Sequence, residues 1–432
     1  MEFIERQQVC AVRVFRSTQS SVTYLGTQPV GAKIAQRGKH IIMKNLARRI
    51  PARSAFISAV VMLEAIIPAH ADSRPQPPSQ PFVLTDMGNR TFGGKTIGDP
   101  KVGLLACDHG YVNWAFPKNP RKYPLLFVHA SSMRTWLTSF DLKRDGFVPI
   151  FLRRGYKAYW TDLPRTGQAG QACAEQSYVP QTNQVQSFFN SWRLGLWLPG
   201  EAKPTWNPGV QFPINDPKAL DQFNRVQTPE FNAPENEQLE TDALGTLLDE
   251  IGPAVMLTHS STGIRGWIAG TKSNKVAAIV SYEPGNVVFP EGELPPPILL
   301  ANGTYSPAGE VIPMKDFLKL TKFPIHIVWG DYIPEKLDPI NVGPRLTLDS
   351  RRRNVLAAKL FADAINRHHG NAEILHLPDI GIHGNTHWPM LDLNNYKVAD
   401  LLSKWLERKK LDKYASDYNG NDCGPARNQA CY

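Results

Sequence analysis

The chain has 432 residues, 42% hydrophobic and 20% charged, with a formal net charge of +9 at pH 7, as expected of a soluble globular protein of one large domain or two ordinary ones. Residues 1–71 hold ten Lys and Arg against three acids and so carry +7 of that charge. The body that follows is nearly neutral, which is no electrostatic footprint for nucleic acid.

The leader has its own grammar. A basic stretch with Lys44, Arg48, Arg49 and Arg53 precedes an apolar run from Ala55 to Pro68, then Ala69-His70-Ala71. This order predicts an export signal (residues 1–71) cleaved after Ala71, with Met43 as an alternative start and a periplasmic or secreted destination. The alternatives are a basic tail or an organellar presequence. The run is shorter than the ~20 residues a membrane span needs, and Glu64 interrupts it, so no stable span is expected. Without the leader, four cysteines remain: Cys107, Cys173, Cys423 and Cys431. An exported chain favours disulfides; the short polar loop between Cys423 and Cys431 suggests that pair, leaving Cys107 for Cys173, against the alternative of four free thiols. No spacing resembles a metal site.

Residues 72–82 read as a Pro-rich linker and 413–432 as a polar tail. Between them the chain alternates. Apolar runs at 123–130, 155–163, 253–258, 276–282, 324–330 and 372–377 predict buried parallel strands. Residues 147–154 read as a helix. Stripes of apolar residues predict further helices from Leu239 to Ile251, from Val355 to about Gly370 and from Val398 to Leu406. This pattern predicts an α/β fold: a mostly parallel sheet with helices on both faces, its core formed by residues 83–172 and 235–412. Residues 173–234 break the rhythm. Their many aromatics, among prolines and polar residues, suggest an inserted cap over the carboxyl edge of the sheet.

The stretch Thr258-His259-Ser260-Ser261-Thr262 lies where a strand meets a helix. A serine at such a turn projects its hydroxyl above the sheet edge, with the next backbone N–H at the helix start. The fit to G-H-S-x-G-G favours Ser260 as nucleophile, with Thr258 and Thr262 in place of glycines. Ser261 as nucleophile and a simple capping serine are the alternatives. A serine needs a histidine base, itself oriented by a carboxylate. His383 and His387 both follow the last strand; a zinc pair of the two is disfavoured by the intervening Gly384 and Asn385.

From these motifs the chain resembles the α/β-hydrolases over about residues 90–410. It is most similar to exported bacterial serine esterases with G-N-(S/T)-H-x(4)-D-x-N around the histidine, which "GNTHWPMLDLNN" matches with His387 as base. The resemblance implies that the acid is Glu283, in "EP" after the sixth strand, with Asp331 as alternative. It also implies an oxyanion hole from the backbone N–H groups of Ser131 and Ser261. Ala130 stands where the family has glycine. The expected activity is hydrolysis of a fairly apolar small-molecule carboxylic ester through an acyl-enzyme, with Trp192, Trp197 and Trp388 as candidate substrate contacts and no cofactor or metal. An inactive hydrolase-fold binding protein, or the same triad on amide, lactone or polyester bonds, are the alternatives. Self-association into a homo-oligomer is left open.

Overall fold

The computed structural model describes residues 81–129, 133–229, 233 and 235–415. The leader, Ser131, Cys423 and Cys431 lie outside the described residues. The main sheet has eight strands: β1 Leu84–Asp99, β2 Gly103–Pro117, β3 Leu125–His129, β4 Ala158–Asp162, β5 Ala254–His259, β6 Val276–Tyr282, β7 Pro324–Trp329 and β8 Asn371–His376. Their order across the sheet is β1-β2-β4-β3-β5-β6-β7-β8. Only β2 runs against its neighbours; from β4 to β8 every pairing is parallel.

The helices are α1 Phe147–Arg153, α2 Gln184–Ser191, α3 Pro217–Arg225, α4 Asn236–Ile251, α5 Thr262–Lys272, α6 Met314–Leu320, α7 Leu346–Arg367 and α8 Asn395–Arg408. Because side chains alternate along a strand, each central strand feeds two hydrophobic layers. Phe127, Val255, Leu257 and Val280 join the layer under α1 and α8, with Phe147, Phe151, Leu402 and Trp405. Leu126, Val128, Met256 and Ile279 join the layer under α4 to α7, with Leu247, Trp267, Phe317 and Phe361. Burial on both sides is why these strands read as unbroken apolar runs. Among the described residues no helix is long and apolar enough to cross a membrane.

The β1–β2 hairpin, not anticipated as an element, pairs from Leu84↔Pro117 to Asp99↔Gly103 and is largely exposed along β1. Its anchor is Phe92, 2% exposed, whose ring fills the space a side chain at Gly110 would need. A Cys107–Cys173 disulfide ties β2 to the start of residues 173–234.

That segment holds α2, α3 and a two-residue strand pair, Gly195–Leu196 with Thr205–Trp206. Asp216 caps α3 by accepting from Lys218 N–H at 3.0 Å, with Pro217 in the first turn. The segment has an aromatic interior of its own. Phe188 stacks on Trp192 at 4.2 Å, and Phe223 lies edge-on to Trp192 at 5.0 Å and to Trp388 at 5.6 Å. Since Trp388 follows β8, this aromatic cluster seats the insertion on the carboxyl edge of the sheet.

Candidate active site

Three carboxyl ends of strands converge. At the end of β5 the chain turns through Ser260 into α5. Ser260 holds φ at 54°, a left-handed conformation costly for a residue with a side chain. The turn is held by its own backbone: Ser260 N–H donates to Tyr282 O, and Ser260 O accepts from the N–H groups of Gly263 and Gly285 at 3.0 and 2.8 Å.

The threonines at the glycine positions are accommodated. A side chain at Gly266 would come within 2.7 Å of Thr258 Cγ2, so the missing space at 258 is returned one turn into α5. Thr258 Oγ1 then donates to Ser281 Oγ at 2.8 Å. Thr262 Oγ1 accepts from His259 N–H at 3.0 Å and reaches His259 O at 2.9 Å. Both substitutions therefore add hydrogen bonds at the turn.

Ser260 Oγ lies 2.9 Å from His387 Nε2, and His387 Nδ1 lies 2.5 Å from Glu283 Oε2. The side chains of His387 and Glu283 are wholly buried. The structure therefore brings together the three residues singled out from the sequence. The two alternatives pair with each other instead: His383 Nδ1 lies 3.4 Å from Asp331 Oδ2, with the His383 side chain 66% exposed.

The loop carrying His387 explains its sequence signature. Asp392 Oδ2 accepts from Asn385 Nδ2 at 2.9 Å and Thr386 N–H at 2.8 Å, while Asp392 Oδ1 accepts from Thr386 Oγ1 at 2.8 Å. Asn385 and Asn394 exchange side-chain amide bonds at 2.7 and 3.0 Å. The Asn, Thr, Asp and second Asn of the motif thus hold one another, and the imidazole sits where their loop puts it.

Glu283 also has partners that sequence reading missed. Arg193, from the insertion, is fully buried and spans the carboxylate: Nη1 donates to Oε2 at 2.9 Å and Nη2 to Oε1. Gly330 N–H donates to Oε1 at 2.8 Å, and a Cβ there would lie 2.8 Å from that oxygen, so only glycine permits the approach. Burial alone would push the Glu283 carboxyl up; Arg193 and the imidazole reverse this and hold it far below the usual range. Arg193 could have been suspected as a single cation inside "SWRLGLWL".

Burial, with the Arg351 and Arg193 charges behind it, pushes His387 down to about 3 against the pull of Glu283. The imidazole is therefore neutral near pH 7 and able to accept a proton. Beneath it His259 Nε2 donates to His387 O at 2.7 Å and His259 Nδ1 faces His129 Nε2 at 3.0 Å, both rings buried and pushed toward the neutral form by burial.

A cleft of about 330 Å³ opens on Ser260 and Ser261. His129, Phe188, Trp192 and Trp388 give it apolar surface; Tyr178, Gln181, Gln184, Gln227 and Thr228 give it uncharged polar groups. Of the three tryptophans expected beside a substrate, Trp192 and Trp388 line it. Trp197 does not: its ring packs edge-on to Phe189 at 5.8 Å and its Nε1 donates to Glu201 O at 2.9 Å, and it lines neighbouring cavities instead. Ser261 immediately precedes α5, whose opening N–H groups have no acceptor within the helix.

No family model matches the chain. A curated relative, the probable secreted lipase phiG of Fungal sp. (strain ATCC 74256), is 27% identical over 321 residues, covering 69% of this chain and 86% of its own length. A solved structure, described as a novel bacterial esterase at atomic resolution, superposes with a TM-score of 0.59 and 26% identity over 78% of this chain and 99% of its own.

Proposed function

We propose that this chain, an α/β-hydrolase acting on carboxylic esters, works through Ser260, His387 and Glu283 by way of an acyl-enzyme. The observation that carries the reading is the unbroken line of contacts from Ser260 Oγ to His387 Nε2 and from His387 Nδ1 to Glu283 Oε2. The likeness to a probable secreted lipase and a bacterial esterase supports the ester bond as the target.

In this mechanism neutral His387 takes the Ser260 proton as Oγ attacks the ester carbonyl. Glu283 holds the Nδ1–H tautomer and stabilises the imidazolium that forms. The N–H groups of Ser131 and Ser261 are the expected donors to the tetrahedral oxyanion, each lowering the barrier by about 3 kcal/mol. The imidazolium then protonates the leaving alcohol, and a water activated by the same ring releases the acid. The aromatic wall of the cleft suits a fairly apolar ester of modest size. Residues 1–71 are proposed as an export leader, cleaved after Ala71, in keeping with the relative described as secreted.

Labelling with a fluorophosphonate probe and hydrolysis of short acyl esters test the reading together. Ser260→Ala should abolish labelling and lower kcat by about 10⁴-fold or more, while Ser261→Ala keeps most of the activity. The reverse result would place the nucleophile at Ser261, and a folded wild-type protein that neither labels nor hydrolyses would reject the triad.

A further inference from the structure

Two consecutive residues of the insertion reach into the catalytic line from the side opposite the sheet. Trp192 O accepts the His387 backbone N–H at 3.0 Å. Arg193 spans both oxygens of Glu283, and its Nε donates to Asp331 O at 2.6 Å, so every guanidinium nitrogen is committed to the sheet edge. Arg193 is held there under constraint. Its φ is 62°, in the left-handed region like those of Ser260 and Glu283, and its own carbonyl is fixed by Asn207 Nδ2 at 2.8 Å. Oε2 of Glu283 thus serves two cations in turn: the guanidinium always, and the imidazolium when it forms.

We propose that Arg193 is a positioning residue through which the insertion fixes Glu283 and limits how strongly that carboxylate raises the basicity of His387. The assignment rests on the triad reading above. A carboxylate whose only cation is imidazolium gives that ring its full attraction; a guanidinium on the same carboxylate offsets part of it and leaves the ring neutral to lower pH. Arg193 also fixes the carboxylate plane, because tying both oxygens leaves it no rotation that keeps the Nδ1 contact.

The other charged or titratable groups facing the pair do not replace Arg193. Arg351 on α7 adds positive field to His387 and Glu283 but makes no hydrogen bond to either. Asp331 is turned to Tyr332 N–H, Gly384 N–H and His383. Asp392 is bound by Asn385 and Thr386, and His259 faces the His387 carbonyl and His129.

The test compares pH profiles of kcat/KM and kcat for wild type, Arg193→Met and Arg193→Lys over the range in which circular dichroism shows each folded. In Arg193→Met the acidic midpoint should move up by about one pH unit or more and kcat should fall by at least about tenfold. KM for a short ester should change little, since Arg193 does not line the cleft. Arg193→Lys keeps a cation without the two-oxygen grip, so its midpoint should stay near the wild type while kcat falls. Superimposable profiles, or a loss confined to KM, would overturn the assignment.

Loss of one partner of a buried ion pair can prevent folding. The Glu283→Gln background removes the stranded charge and decides the matter in that case. There Arg193→Met should cost no further activity; an undiminished loss there would mean that Arg193 acts other than through Glu283. Fluorophosphonate labelling of the wild type keeps the two readings apart. A labelled wild type with an unshifted Arg193→Met profile sinks only the role of Arg193, whereas an unlabelled one sinks the triad itself.

Discussion

Two arginine–glutamate pairs in this molecule differ in where they sit and in how fully their partners are engaged. Arg90 on β1 meets Glu250 on α4 at the edge of the sheet, with side chains 42% and 39% exposed. Arg193 meets Glu283 above the sheet centre with both side chains wholly buried. At the edge, water solvates each ion whether or not the pair forms, so the contact contributes little. At the centre each ion depends on the other, and Gly330 N–H, Asp331 O and His387 take up the remaining hydrogen-bonding capacity. The same chemistry is therefore optional in one region and obligatory in the other. Backbone conformation differs in degree. Gly93, Gly94 and Gly98 supply most of the hairpin's left-handed residues at little cost, Asp108 being the exception, whereas Ser260, Glu283 and Arg193 carry side chains in that region and are held by packing around them.

Acid should separate the two regions most strongly. His129 and His387 are both pushed down to about 3, first by burial, and His259 and His326 are also pushed below their ordinary value by burial. The unfolded chain takes protons on these rings below about pH 6.5, while the folded one does not. Stability therefore falls as pH drops, by about 1.4 kcal/mol per pH unit for each such ring. Asp392, whose carboxyl is pushed well above its ordinary value by burial, works in the opposite direction, so the loss is that of the rings less the relief at this acid. Glu283, whose carboxyl is depressed on folding, adds further loss only below about pH 4.5. Urea unfolding followed by tryptophan fluorescence should show the midpoint dropping steadily from pH 7 to 5. A flat profile there would mean that the buried rings accept protons without opening the core.

The disulfide comes next in size. Cys107 and Cys173 are 66 residues apart and join the hairpin to the insertion. In the chain-entropy account, closing a loop of that length stabilises by about 4 kcal/mol. Cys107→Ala with Cys173→Ala should lower stability by roughly that amount in denaturant titrations. Ser260, His387 and Glu283 are held by contacts that do not involve the bond, so kcat below the unfolding range should be nearly unchanged. A kcat that fell with the bond while the protein stayed folded would show that the hairpin edge and the site are coupled after all.

The same contrast decides what could be read from the sequence. The central strands were legible because both their faces are dry, which leaves runs such as "AVMLTH" and "VAAIVSY". Ser260 and Glu283 were legible because each sits at a strand end, where local spelling marks the turn, and His387 because the loop that carries it has a spelling of its own. The hairpin was not. Most of β1 is wetted on both sides, so "LTDMGNRTFGGKTIGD" shows neither an apolar run nor alternation. Arg193 was not legible either, since nothing near it in sequence predicts a partner 90 residues on. That Trp197 lies outside the cleft at Ser260 was hidden for a related reason: an aromatic residue type does not say which side of the insertion it faces. The space for Thr258 was also hidden, because Gly266, which makes room for it, lies one turn beyond the motif.

The smallest effect tests the comparison from its weak side. Arg90→Ala and Glu250→Ala should each cost no more than about 1 kcal/mol, with a coupling between them below that in a double-mutant cycle at physiological salt. Salt should weaken even this remainder, because solvent-exposed charges are screened within about 8 Å at physiological ionic strength. The Arg193–Glu283 pair, shut away from ions, should not respond to salt. If the edge pair instead coupled by several kcal/mol and ignored salt, water would not be relieving the charges at the hairpin. Exposure would then no longer explain why one pair is dispensable and the other is not.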